Sequence, residues 1–169
     1  MIIIFLLFYL LTPILMTPFI IFLLIYSEKY TKIYSFLLSF NIGIIGYYFV
    51  PPINFDLFRH FLKLDELSTL SLIDALQYNQ SPLVIENLWF YAIALIGDYG
   101  LLPLGAITLS YYFVIVITVE YCKSRKISKI YILTAILLIL SWYQLINPMS
   151  GVRFSTALSL SAYGIYKIY

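Results

Sequence analysis

The chain has 169 residues, of which 63% are hydrophobic, 19% aromatic and 11% charged, with a mean hydropathy of +0.97. Soluble domains carry about 25% charged residues, so this composition reads as a membrane protein. A formal net charge of +2 with no continuous basic stripe argues against nucleic acid as a partner, and the single cysteine, Cys122, excludes an intramolecular disulfide and a Cys-rich metal site.

Met1 to Tyr26 is uncharged and lacks the basic n-region and small-residue cleavage site of a secretory signal peptide, so it reads as a retained first span. Neighbouring helices can re-satisfy the backbone groups freed by Pro13 and Pro18, which predicts one kinked helix. The basic turn Ser27 to Lys32 follows. A second span runs from Ile33 to Val50 and stops at Pro51-Pro52. Residues 51–98 form a polar insert with six acidic residues (Asp56, Asp65, Glu66, Asp74, Glu86, Asp98) against Arg59 and Lys63. Within it, Asp56 opens an amphipathic helix, and Ser71-Leu-Ile-Asp74 has the spacing of a capped short helix ending near Asn79. Ser81-Pro82 are a good N-cap and first helical residue. The apolar run Leu88 to Gly97 would cover only about 15 Å, half a hydrocarbon core, and reads as re-entrant or interfacial. Further spans are expected from about Tyr99 to Val119, from Ile130 to Ile146, and from Gly151 to the end. The fold class expected is an all-α polytopic helical bundle, residues 1–169 forming a single integral membrane domain and 51–98 an external loop with amphipathic helices.

With five spans and the N-terminus outside, Lys29, Lys32, Lys123, Arg125, Lys126, Lys129 and Lys167 are cytoplasmic, while Arg59, Lys63 and Arg153 are external, as the positive-inside rule prefers. A six-span order in which Leu83 to Gly97 crosses gives the same seven against three. Segment length favours five. Tyr26, Tyr30, Tyr34, Tyr47, Tyr48, Tyr121, Tyr131 and Tyr143 fall near predicted span ends, where amphipathic rings anchor at the headgroup level.

Three polar clusters remain for chemistry. Asp56, Arg59, His60 and Lys63 are spaced i, i+3, i+4 and i+7 and share one helical face, with Phe58, Phe61 and Leu62 turned toward lipid or protein. Either these charges solvate the outer face of the helix, or they form an anion-binding and proton-transferring site. In the second case Arg59 offers a fork of donors to phosphate and Lys63 a point charge. His60 is a base matched to neutral pH, and Asp56 orients it or acts as base itself. Glu86, beside Asn87 at the entrance of the half-length apolar segment, is either a hydrated helix start or an acceptor-binding or proton-handling group. Arg153 follows the turn Asn147-Pro-Met-Ser-Gly and opens a span rich in Ser, Ala and Gly that is suited to close helix packing. It either snorkels to headgroups or binds pyrophosphate. No Walker loop, dinucleotide fingerprint, nucleophile elbow or His/Cys metal set occurs.

Asp56-x-x-Arg59-His60-Phe61 after the second span, Ser81-Pro-x-x-x-Glu86 before a short apolar helix, and Arg153 opening a small-residue span together resemble the EpsG family of bacterial membrane proteins. These are similar to the Wzy-type polymerases of O-antigen and capsule. The resemblance implies a multi-pass enzyme of the bacterial cytoplasmic membrane. It would join oligosaccharide repeat units carried on undecaprenyl pyrophosphate, with membrane lipids and polysaccharide export proteins as further partners and with no cofactor or metal. Carried over, Arg59 and Arg153, supported by Lys63, hold the departing pyrophosphate, and His60, Asp56 or Glu86 activates the acceptor hydroxyl. Family members are longer, so the chain is expected to correspond to an N-terminal portion. Two alternatives stand beside this reading: a polyprenyl-phosphate-sugar glycosyltransferase, and a non-enzymatic accessory or transport subunit that binds an anionic lipid carrier.

Overall fold

The structure is a computed structural model that describes residues 13–78, 84–142, 148 and 151–168. Regular structure among the described residues is α-helical, with no strand. In chain order the helices are α1 (Thr17–Tyr26), α2 (Thr31–Tyr47), α3 (Asp56–Ser68), α4 (Leu72–Leu76), α5 (Val84–Ile96), α6 (Leu101–Ser124), α7 (Lys129–Trp142) and α8 (Val152–Ile168).

Helix α6 is the axis of the molecule, packing against α2, α8 and α7. Its 24 residues span about 36 Å, and it is the one helix among the described residues long and apolar enough to cross a membrane. Five spans were expected. Helix α2 has 17 residues and buries Thr31, Ser35, Ser39 and Asn41 in place of an unbroken apolar run. The first and fourth expected spans are described only from Pro13 and as far as Trp142, so the parts at 1–12 and 143–146 lie outside the described residues. Helix α6 runs five residues past the expected Val119, and α4 stops at Leu76, short of Asn79.

Side-chain pairs fix the helix directions. Tyr47 of α2 lies against Gly100 before α6, Phe36 meets Tyr112, and Thr31 lies beside Lys123, so α2 and α6 are antiparallel. Phe113 pairs with Tyr163, and Glu120 with Lys167, so α8 runs parallel to α6. Lys129 at the start of α7 covers the ring of Tyr26 at the end of α1. Turns 27–30 and 125–128 therefore share one end with the C-terminal end of α8, and α3 to α5 occupy the other.

The α2–α6 contact depends on two glycines. A Cβ on Gly43 would lie 2.3 Å from Thr108 Oγ1 and 2.9 Å from the Leu104 carbonyl, and one on Gly46 would lie 2.2 Å from Ile107 Cδ1. Close backbone approach of this kind is what small residues provide between membrane helices. Beside it, Asn41 Nδ2 donates to the Pro13 carbonyl at 2.6 Å and to Thr17 Oγ1 at 3.1 Å, occupying an acceptor just ahead of α1.

Two apolar cores result. One gathers Ile20, Leu24, Leu38, Tyr111, Ile115, Val119 and Ile136 from α1, α2, α6 and α7. The other gathers Leu57, Leu64, Leu67, Ala75, Phe90, Ile93, Leu102, Ala106 and Val152. The described residues of 51–98 thus share one core with the first turns of α6 and α8. Helix α5 packs chiefly on α3 and α4, and its 13 residues cover about 20 Å.

Candidate functional site

Helix α3 starts at Asp56, as its sequence indicated, but it is turned differently from the expected arrangement. Its buried positions are Leu57, His60, Leu64 and Leu67, while Leu62 is exposed. The three leucines form a stripe that seeks the apolar face of α5, and His60 lies within the stripe and goes in with it. His60 therefore sits in the core, not on a solvated face. Its ring meets Phe90 edge-on, with centroids 5.3 Å apart, and its Nε2 is 3.5 Å from Asp56 Oδ2, an ion-pair distance too long for a good hydrogen bond.

Burial is the main influence on His60 and holds its pKa below the usual value. Asp56 and Glu86 oppose this shift, and Arg153 and Lys63 add to it. The net effect is an imidazole that is neutral at pH 7 and able to accept a proton.

One turn further along α3, Lys63 reaches across to α5. Its ammonium donates to Glu86 Oε1 at 3.1 Å and to Asn87 Oδ1 at 3.0 Å, and lies 4.7 Å from the centre of the Phe90 ring. The amide of Asn87 donates in turn to the Leu76 carbonyl at the end of α4, at 3.3 Å. Arg153, at the start of α8, sends Nη1 to the same Glu86 oxygen at 3.4 Å. A single carboxylate, its side chain 12% exposed, is thus shared by two cations from two other helices. Lys63 is mostly enclosed, whereas the Arg153 side chain is 55% exposed.

Arg59 stands apart. It is exposed, and no hydrogen bond or ion pair holds it among the described residues. The structure therefore brings together Asp56, His60, Lys63, Glu86 and Arg153, five of the six candidate residues, and leaves Arg59 on the outer flank of α3. Ser81 and Pro82, along with Asn147, lie outside the described residues. Asn87 and Phe90 complete the site without having been chosen as site residues. The i, i+1 and i+4 spacing of Glu86, Asn87 and Phe90 on one helix was the available signal.

Chemically, the cations Lys63 and Arg153 balance the carboxylates of Glu86 and Asp56, with the neutral His60 between them. An anion entering here would meet the half-exposed guanidinium of Arg153 and an ammonium oriented by Glu86 and Asn87. Other carboxylates of the segment are tied to tyrosines: Glu66 accepts from Tyr78, Asp65 from Tyr99, and Asp98 Oδ2 from Tyr47 at 2.6 Å.

No group of three or more His, Cys, Asp or Glu suited to a metal occurs among the described residues. No protein-family model, curated protein or solved structure matches this chain.

Proposed function

We propose that the chain is a multi-pass membrane protein of the EpsG kind, and that its cluster of His60, Lys63, Glu86 and Arg153 handles an undecaprenyl-pyrophosphate-linked oligosaccharide during glycosidic bond formation. The observation that carries this reading is the Glu86 carboxylate held jointly by Lys63 and Arg153 beside a buried neutral histidine. Pyrophosphate departure builds negative charge, which fixed cations stabilise most where water is partly excluded. Arg153 leaves Glu86 to take a phosphate oxygen pair, which its planar fork fits. Lys63 and the exposed Arg59 supply further positive charge, and His60 accepts the proton of the acceptor hydroxyl.

Five spans, with 51–98 as the external segment, are supported by the Lys123 ammonium lying 2.5 Å from the Ser27 carbonyl. A six-span order would put those two turns on opposite faces of the membrane. The seven basic residues of the proposed cytoplasmic side also gather at the end away from α3.

The test is polymer formation in cells that make the lipid-linked repeat unit but lack a polymerase. His60→Asn and Arg153→Lys should each lower polymer output by about 100-fold, the scale of losing one transition-state contact. Unchanged polymer length in both variants would leave an accessory subunit that only binds the carrier. Mass spectrometry of the lipid-linked product separates repeat-unit joining from addition of a single sugar.

A further inference from the structure

At the opposite end of the bundle an open cleft of about 720 Å³ is lined by Glu28, Lys29, Tyr30, Lys32, Lys123 and Lys126, with Ile33 and Glu120 completing its walls. Its charges are unevenly engaged. Lys123 is committed to structure: its ammonium caps the end of α1 through the carbonyls of Leu24 at 2.7 Å and Ser27 at 2.5 Å, and also donates to Thr31 Oγ1 at 2.8 Å. Glu120 is paired with Lys167 at 2.6 Å. Lys29 lies over the Tyr30 ring, while Lys32 and Lys126 are exposed and have no acidic partner among the described residues. Glu28 alone of the acidic groups is left to face these three lysines.

Lys126 carries a second, independent signal. Helix α6 ends in a Schellman turn, with the Lys126 N–H donating to Lys123 O at 3.0 Å and the Ile127 N–H to Cys122 O at 2.9 Å. The turn requires the left-handed conformation at Lys126, whose φ is 54°. Glycine occupies such a position without strain and lysine does not. The strained position thus keeps a lysine at the wall of a cleft that also carries Lys32 and the ring-stacked Lys29.

We propose that this cleft binds the phosphate of an anionic phospholipid at the membrane–water boundary, with Lys32 and Lys126 as its principal contacts. A lipid suits the walls better than a free anion does, because the exposed apolar side chains of Ile33 and Tyr30 line the cleft together with the cations. The inference rests on the reading of the bundle as membrane-spanning and is independent of the chemistry at His60.

The test reconstitutes the full chain into nanodiscs of pure phosphatidylcholine or of an equal mixture with phosphatidylglycerol, and measures lipid retained by native mass spectrometry. Phosphatidylglycerol should be retained preferentially, and Lys32→Gln and Lys126→Gly should each weaken its retention about fivefold. Lys126→Gly should at the same time raise the melting temperature by about 2 to 4 °C, because it relieves the strained turn. A purely structural lysine would not separate those two readouts. Equal retention of both lipids by an inserted chain, or undiminished retention in the double variant, overturns the site alone. Saturation by millimolar inorganic phosphate without lipid overturns the assignment to a phospholipid. A chain that enters neither nanodisc overturns the spanning reading together with the site.

Discussion

Glu86→Gln separates the two arms of the shared carboxylate. The substitution keeps size and one acceptor oxygen but removes the charge that both cations face. Lys63 has 19% of its side chain exposed and keeps only neutral acceptors, the amide oxygen of the new glutamine and Asn87 Oδ1 at 3.0 Å. Hydrogen bonds to charged groups are worth about 1.5 to 3 kcal/mol, and the loss should fall in that range because Lys63 cannot turn out to water without leaving Phe90. Arg153 is 55% exposed, so its arm is screened by solvent and contributes under about 1 kcal/mol. Unfolding in mixed micelles should therefore rank Glu86→Gln as costly, Lys63→Gln as similar and Arg153→Gln as nearly neutral. A double-mutant cycle should find the Lys63–Glu86 coupling larger than the Arg153–Glu86 coupling. High salt should weaken only the exposed Arg153 arm. If Arg153→Gln destabilised the protein as much as Glu86→Gln, the guanidinium would be a structural clamp and could not be the group released to a phosphate.

Protonation of His60 supplies a second measurement. Its folded pKa is lowered, so the unfolded chain binds more protons as the pH falls below about 6.5, and stability present above that pH is lost on acidification. Melting temperature should drop between pH 7 and pH 5, and His60→Asn should flatten that slope. Removing Asp56, which opposes the shift, should steepen it. At the helix contact, Gly43→Ala should cost about 1 to 3 kcal/mol, since the new methyl meets the Leu104 carbonyl as well as the Thr108 side chain. Gly164→Ala, with nothing within 4 Å, should be neutral or slightly stabilising in the same unfolding assay. For topology, a cysteine at Ser68 in a Cys122→Ser background should react with an impermeant thiol reagent on intact cells, and one at Ser124 should not. Both side chains are exposed at opposite ends of the bundle, so equal labelling would refute the five-span order.

Local helix signals were largely legible in the sequence. Asp56 as a helix start, Ser71 as an N-cap accepting from the Asp74 N–H at 3.3 Å, and the short apolar helix around Leu88 all follow from capping and periodicity. Tertiary polarity was not. Seventeen residues of α2 carry buried Ser35, Ser39 and Asn41; Ser39 bonds back to the Ser35 carbonyl of its own helix, whereas the partners of Asn41, the Pro13 carbonyl and Thr17, depend on where α1 lies. Helix α6 outruns the end that the sequence suggests because Glu120 and Lys123 look like the end of an apolar run. In the fold Glu120 meets Lys167 and Lys123 caps α1, so the helix continues through both.

The site shows why spacing alone did not separate Lys63 from Arg59. At about 100° per residue, Leu57, His60, Leu64 and Leu67 define the centre of the buried arc of α3, with Lys63 about 80° from that centre and Arg59 about 120°. All three polar residues look equivalent when only their mutual spacing is counted. Measured from the leucine stripe they differ: His60 goes under, Lys63 reaches sideways to α5, and Arg59 faces out. The sequence contains that stripe, but in a chain so apolar throughout, three leucines do not stand out from the background until α5 supplies the surface they cover. Charge was the rarer and therefore more conspicuous feature, yet the apolar residues set the phase. Arg153, reaching over from α8, accordingly shares the Glu86 carboxylate with Lys63, while Arg59 lies on the outer flank of α3.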